Sequence, residues 1–269
     1  LAQDAVWAVV TIAGCALSLA GLTDGFWSFV VWAAGGSVIG FFVALLGRYR
    51  VRPGWGRSDV PTSTSLAFGA DYVVGSGSTL VTTNLLAAFA GSSVVAAIRG
   101  AGTLLGPVNL FIGILPTLLI PSLRQWHDPA LKPVRAGLRL NGLIMLVATP
   151  LLLMIAFFPT SWGQLLLASI WPFAAPLLPF LALDTAAALA ATVPMSGHRS
   201  LLAGRASLRL RIFLAVVRTS CVVAAGVTHG AVAAAATIAA TSVVATVAWW
   251  VSYAHQLKRT GARVTTDAP

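Results

Sequence analysis

The chain has 269 residues, of which 58% are hydrophobic and only 9% charged, with a mean hydropathy of +0.88. Soluble domains carry about 25% charged residues, so a large soluble core is excluded as the reading of this composition. The net charge of +10 does not point to nucleic acid, because the basic residues sit in short connections between apolar runs, the pattern of membrane topology.

In chain order, the first apolar run covers 5–22 and ends at Thr23-Asp24-Gly25; the second covers 26–46. Residues 47–62 form a basic, Pro/Gly/Ser-rich connector. The third run, 65–88, is lined with small and hydroxyl residues such as Gly75, Ser78, Thr79, Thr82 and Thr83, which suit close packing or a wet cavity. The fourth run, 94–120, carries Gly106-Pro107, Pro116 and Pro121, which loosen a helix at those points. A polar loop with Arg124, Trp126, His127, Asp128, Lys132 and Arg135 follows. The fifth run is 138–158. The sixth, near 170–193, holds Pro172, Pro176 and Pro179 and should be distorted or start late. A basic loop is expected over 195–211, then the seventh run, 212–227, a turn at Thr228-His229-Gly230, and the eighth run, 231–253.

The expected fold is therefore an all-α polytopic membrane protein with eight transmembrane helices. Of the 17 Lys and Arg residues, 15 lie in the connections after the even-numbered runs or in the tail. The positive-inside rule then places those connections, and both ends of the chain, in the cytoplasm. The two exceptions, Arg99 and Arg218, lie inside runs.

Charges within spans are costly and mark either satisfied structural pairs or functional sites. Asp71 and Arg218 fall at matching depths and could pair; Asp184, near the middle of the sixth run, is the natural proton or sodium site if the protein has one. His127, His198, His229 and His255 lack ligand spacing and read as solvated or interfacial. Trp27, Trp32, Trp162, Trp249 and Trp250 read as an aromatic belt. Cys15 and Cys221 read as inert apolar residues, and no metal motif is expected. No nucleotide-binding loop or nucleophile–base set stands in context, so neither cofactor nor enzyme activity is expected.

The first run, Ala8-Val9-Val10-Thr11 through Ala20-Gly21-Leu22-Thr23-Asp24-Gly25, parallels the seventh, Ala215-Val216-Val217-Arg218 through Ala225-Gly226-Val227-Thr228-His229-Gly230. Two helix pairs in one orientation suggest parallel repeats, a transporter architecture. On that reading residues 1–46 are the last two helices of a first six-helix lobe, 47–62 a cytoplasmic linker, 63–256 a complete second lobe and 257–269 a cytoplasmic tail. The chain, which opens without methionine, then reads as starting partway through a longer protein.

The stretches Phe89-Ala90-Gly91, Ala96-Ala97-Ile98-Arg99-Gly100-Ala101-Gly102-Thr103-Leu104-Leu105-Gly106-Pro107 and Leu118-Leu119-Ile120-Pro121-Ser122-Leu123-Arg124 resemble the second span of a lobe in the MOP exporter superfamily (MATE-like). The nearest likeness is to bacterial polysaccharide-biosynthesis and O-antigen flippases, and Asp4-Ala5-Val6-Trp7 looks like the start of that family's fifth span. The resemblance implies a two-lobe transporter of the cytoplasmic membrane. It would move undecaprenyl-pyrophosphate-linked saccharides between leaflets, without cofactor or covalent chemistry. Membrane lipids, the lipid-linked saccharide and polysaccharide-assembly proteins are the implied partners. Arg99 and Arg218 are then candidates to bind a pyrophosphate oxygen, for which guanidinium geometry is well matched; the structural alternative is an ion pair or snorkelling to a headgroup. Asp71 and Asp184 are the matching candidates for ion coupling or structural pairing. A drug or cation antiporter of the same superfamily, or a non-transporting scaffold of a polysaccharide-assembly complex, are the alternatives.

Overall fold

A computed structural model of the chain describes residues 61–125 and 133–266. The expectations for the first two runs, the basic connector, the first copy of the repeat and the loop at 126–132 lie outside these residues. All regular structure described is helical. Helix α1 is Thr62–Phe89, α2 Ser92–Leu104, α3 Gly106–Gln125, α4 Pro133–Ala156 and α5 Thr160–Leu167. After two short 3-10 turns and the four-residue α6 (Trp171–Ala174) come α7 (Leu178–Ser200) and α8 (Gly204–Thr266).

Among the described residues, four helical stretches are long and apolar enough to cross a membrane: Gly106–Leu123, Val134–Ala156, Thr160–Ser200 and Gly204–Arg259. Their outward faces carry exposed Leu110, Leu118, Leu146, Val147 and Val244, apolar surface that water does not tolerate in such quantity. The protein is thus an α-helical, multi-pass membrane protein.

The irregularities fall where the sequence places helix breakers. The fourth run is cut into α2 and α3 at Leu105, directly before Gly106-Pro107, where the Leu105 amide turns back to Gly102. The sixth run passes through short helical pieces over 168–177, holding Pro172 and Pro176, before the regular α7 begins. Helix α8 is broken at Gly230, whose φ of 77° and ψ of −162° suit only glycine. The two limbs fold back on each other there: Arg218 and Ser242, 24 residues apart, are hydrogen bonded. A straight helix would hold them about 36 Å apart.

Helix α7 is the central element. It packs against both limbs of α8 and against α3 and α4, and fourteen of its residues are buried. Helix α1 lies along the first limb of α8. Thr64 meets Gly204 at one end, and Leu86 and Ala90 meet Gly226 at the other, so the two run parallel. The turns at Gly91 and Gly230 therefore share one end of the bundle, and the loop at 201–203 lies at the other.

Two expectations are corrected. His198 is not a solvated loop residue: α7 extends to Ser200, and His198 is fully buried. Its Nδ1 lies 2.9 Å from the Pro194 carbonyl, its Nε2 2.9 Å from Ser252 Oγ, and Trp249 meets its ring edge-on at 5.2 Å. Trp249 is likewise no belt residue, being 3% exposed, whereas Trp162 is exposed.

Candidate functional site

A cavity of about 450 Å³ is walled by α1, α2, α3, α7 and both limbs of α8. It exists because the facing residues are small: Gly75 and Ser78 on α1, Gly102 on α2, Ala188 and Ala191 on α7, Ala215 and Ala245 on α8. The small-polar face noted in the third run is the α1 wall of this space.

Charge enters from α7 and α8. Arg218 donates from Nη1 to Ser242 Oγ (2.7 Å) and from Nη2 to Asp184 Oδ1 (3.1 Å), and Ser242 donates in turn to the same carboxylate oxygen. The triad joins α7 to both limbs of α8. It is not sealed in: the Arg218 and Asp184 side chains are 41% and 23% exposed, and both line the cavity. A guanidinium has five N–H bonds. Two of Arg218's are used, leaving Nε–H and one hydrogen on each terminal nitrogen without a protein partner among the described residues.

The hydroxyls around the pair are acceptors. Ser78, Thr83, Thr185, Thr192 and Thr241 each give their proton to a backbone carbonyl of their own helix, at 2.7–3.0 Å. Thr82 does the same to the Ser78 carbonyl, so Thr219 is the donor in the 2.7 Å Thr82–Thr219 contact. A hydroxyl whose proton is committed retains lone pairs. The cavity therefore offers acceptors on its walls and guanidinium donors at its charged centre. That chemistry fits a ligand with both hydroxyls and an acidic group.

A second cluster stands towards the 201–203 end. Asp71 is 1% exposed and accepts from Ser207 Oγ (3.1 Å) and Arg211 Nε (2.8 Å), with Arg199 Nη2 at 4.0 Å. Arg211 also lies over the Trp249 ring, 5.3 Å from its centroid, and lines the cavity.

The four charges singled out in the sequence are thus distributed as follows. Arg218 and Asp184 are brought together in the cavity. Asp71 does not pair with Arg218; a helix that begins at Gly204 carries Arg211 and Ser207 to Asp71 first. Arg99 is exposed on α2, outside the cavity lining, with no hydrogen bond or ion pair among the described residues. Arg211 is the site residue that sequence reasoning missed, counted as part of a loop. Its spacing of seven residues from Arg218, two helical turns on one face, was the available signal.

Compared with known protein families, with curated proteins and with solved structures, the chain matches none.

Proposed function

We propose that this protein moves a lipid-linked saccharide, of the undecaprenyl-pyrophosphate class, across the cytoplasmic membrane for cell-surface polysaccharide assembly. The proposal includes eight spans with both ends in the cytoplasm, and residues 63–256 as one six-helix lobe of a two-lobe transporter. The observation that carries it is the part-exposed guanidinium of Arg218, with three N–H bonds uncommitted among the described residues, in a cavity of about 450 Å³ lined by hydroxyl acceptors. Guanidinium recognises phosphate oxygens through paired N–H donors, and hydroxyl acceptors complement sugar hydroxyls. The basic connections and the resemblance to polysaccharide flippases support the same reading. Arg99, outside the cavity lining, has no contact role in it.

The test is transport of a fluorescent undecaprenyl-pyrophosphate-linked sugar in proteoliposomes holding the complete two-lobe transporter. Hydrogen bonds to charged groups contribute about 1.5–3 kcal/mol, so Arg218→Lys, which keeps the charge and loses the fork, should slow transport about tenfold or more at normal abundance. Wild-type rates in both Arg218→Lys and Arg218→Ala would refute the reading. The part-exposed Asp184 carboxylate favours one second reading, a drug or cation antiporter. In that case Asp184→Asn would abolish ion-driven drug efflux, and the lipid-linked sugar would not move in the wild type.

A further inference from the structure

Arg211 belongs to two structures at once. Through Nε it holds Asp71, the only carboxylate on α1, and with Ser207 and Arg199 it fastens α1 to the junction of α7 and α8. Through its terminal nitrogens it faces the cavity. Nη2 reaches only the Met195 sulfur, at 3.9 Å, and Nη1 has no protein hydrogen-bond partner among the described residues. Gly75 leaves room for that nitrogen: a Cβ there would stand 3.2 Å from Nη1. Trp249 supports the guanidinium from one face. Arg218 lies two turns along the same face of α8, about 10.5 Å along the axis.

We propose that Arg211 is a second anion-binding residue of the cavity, and that an anion reaching it takes the place of Asp71 and releases α1 from the α7–α8 junction. This rests on the reading of the cavity as an anion site. The physical reason is competition. One guanidinium serves two anionic partners, and the Asp71 carboxylate is the one built into the fold. While the Asp71 clamp is closed, the site is only fractionally competent, and apparent affinity falls by that fraction. A clamp closed nine-tenths of the time weakens binding about tenfold. Removing the charge of Asp71 therefore loosens the helices and tightens anion binding together. A purely structural ion pair predicts the loosening alone.

The experiment uses the purified full chain in nanodiscs, with inorganic pyrophosphate as probe and spin labels at Tyr72 on α1 and Leu202 in the α7–α8 loop, both exposed. Cys15 and Cys221 are replaced by alanine. In the wild type, pyrophosphate should bind saturably and produce a longer-distance population. Asp71→Asn should show that population without pyrophosphate and bind the probe several-fold to tenfold more tightly. Arg211→Lys should weaken binding at least tenfold. Should Asp71→Asn fail to fold, Gly75→Ala serves instead: it crowds Nη1 while leaving Asp71 in place, and should weaken binding several-fold. The proposal is overturned if folded Asp71→Asn binds pyrophosphate no more tightly than wild type. It is equally overturned if the wild type fails to bind the probe, or binds it with no change in distance. The function proposed above is judged separately, by the effect of Arg218→Lys on lipid-linked sugar transport.

Discussion

Three glycines show how little tolerance the packing has at single positions. A Cβ at Gly197 would stand 2.3 Å from the Tyr253 ring, one at Gly163 2.3 Å from the Trp171 ring, and one at Gly226 2.5 Å from Leu86. These side chains are buried and cannot move aside cheaply. Overpacking of this kind costs about 1–3 kcal/mol, so Gly197→Ala should lower the melting temperature in detergent by several degrees. Gly142, with nothing within 4 Å of its Cβ position, is the control: Gly142→Ala should melt at or above wild type. Equal melting of the two variants would contradict the packing described. None of this was legible in the sequence, where nothing in the neighbours of the four glycines marks which of them meets a ring or a side chain from another helix. The charged residues were partly legible. Arg218 and Asp184, inside apolar runs, announced a need for compensation, but matching depth pointed to Asp71 as the partner of Arg218, whereas the structure pairs Arg218 with Asp184. That pairing depends on where α8 begins: starting at Gly204 and running parallel to α1, it brings Ser207 and Arg211 level with Asp71 and carries Arg218 two turns further on.

At the scale of elements, the breaks were legible and the boundaries were not. Gly106-Pro107, Pro172 and Pro176, and Gly230 all fall at breaks in regular helix, because each alters the backbone hydrogen bonding or dihedral freedom, whereas Pro116 and Pro121 stay within α3. The extent of α7 and α8 was not legible, because His198 and Arg199 look like loop residues until their partners Ser252, Trp249 and Asp71 are in place. Two substitutions test the backbone account in opposite directions. Gly230→Ala places a Cβ at φ 77°, ψ −162°, and should cost about 1–3 kcal/mol, seen as faster hydrogen exchange around the turn of the α8 hairpin. Ala168 holds a positive φ of 46° without being glycine. Ala168→Gly should therefore raise thermal stability by about 1 kcal/mol. No change in either variant would mean that these conformations carry no strain.

For the whole molecule, the composition was sufficient to read an α-helical membrane protein. The count of spans is a finer matter. The many Gly, Ser and Thr residues of α1 and the interruption of the fourth run at Leu105 reduce the apolar length that hydropathy alone can credit. The arrangement of the described helices places the Gly91 and Gly230 turns at one end and the 201–203 loop at the other, the relative sidedness that the basic residues demand. Single cysteines at Gly91, Ser161 and His229 should react with an impermeant reagent from outside intact cells, and one at Ala203 should not; labelling at Ala203 would reverse the orientation. The central claim concerns the cavity, whose Arg218 and hydroxyl walls are proposed to hold the acidic, sugar-bearing head of a lipid. Its most direct test is native mass spectrometry of the full chain titrated with undecaprenyl-pyrophosphate-linked sugar. The wild type should retain the lipid with saturable 1:1 stoichiometry, and Arg218→Lys should need at least tenfold more of it; no retention by the wild type, or equal retention by the two proteins, would contradict the account.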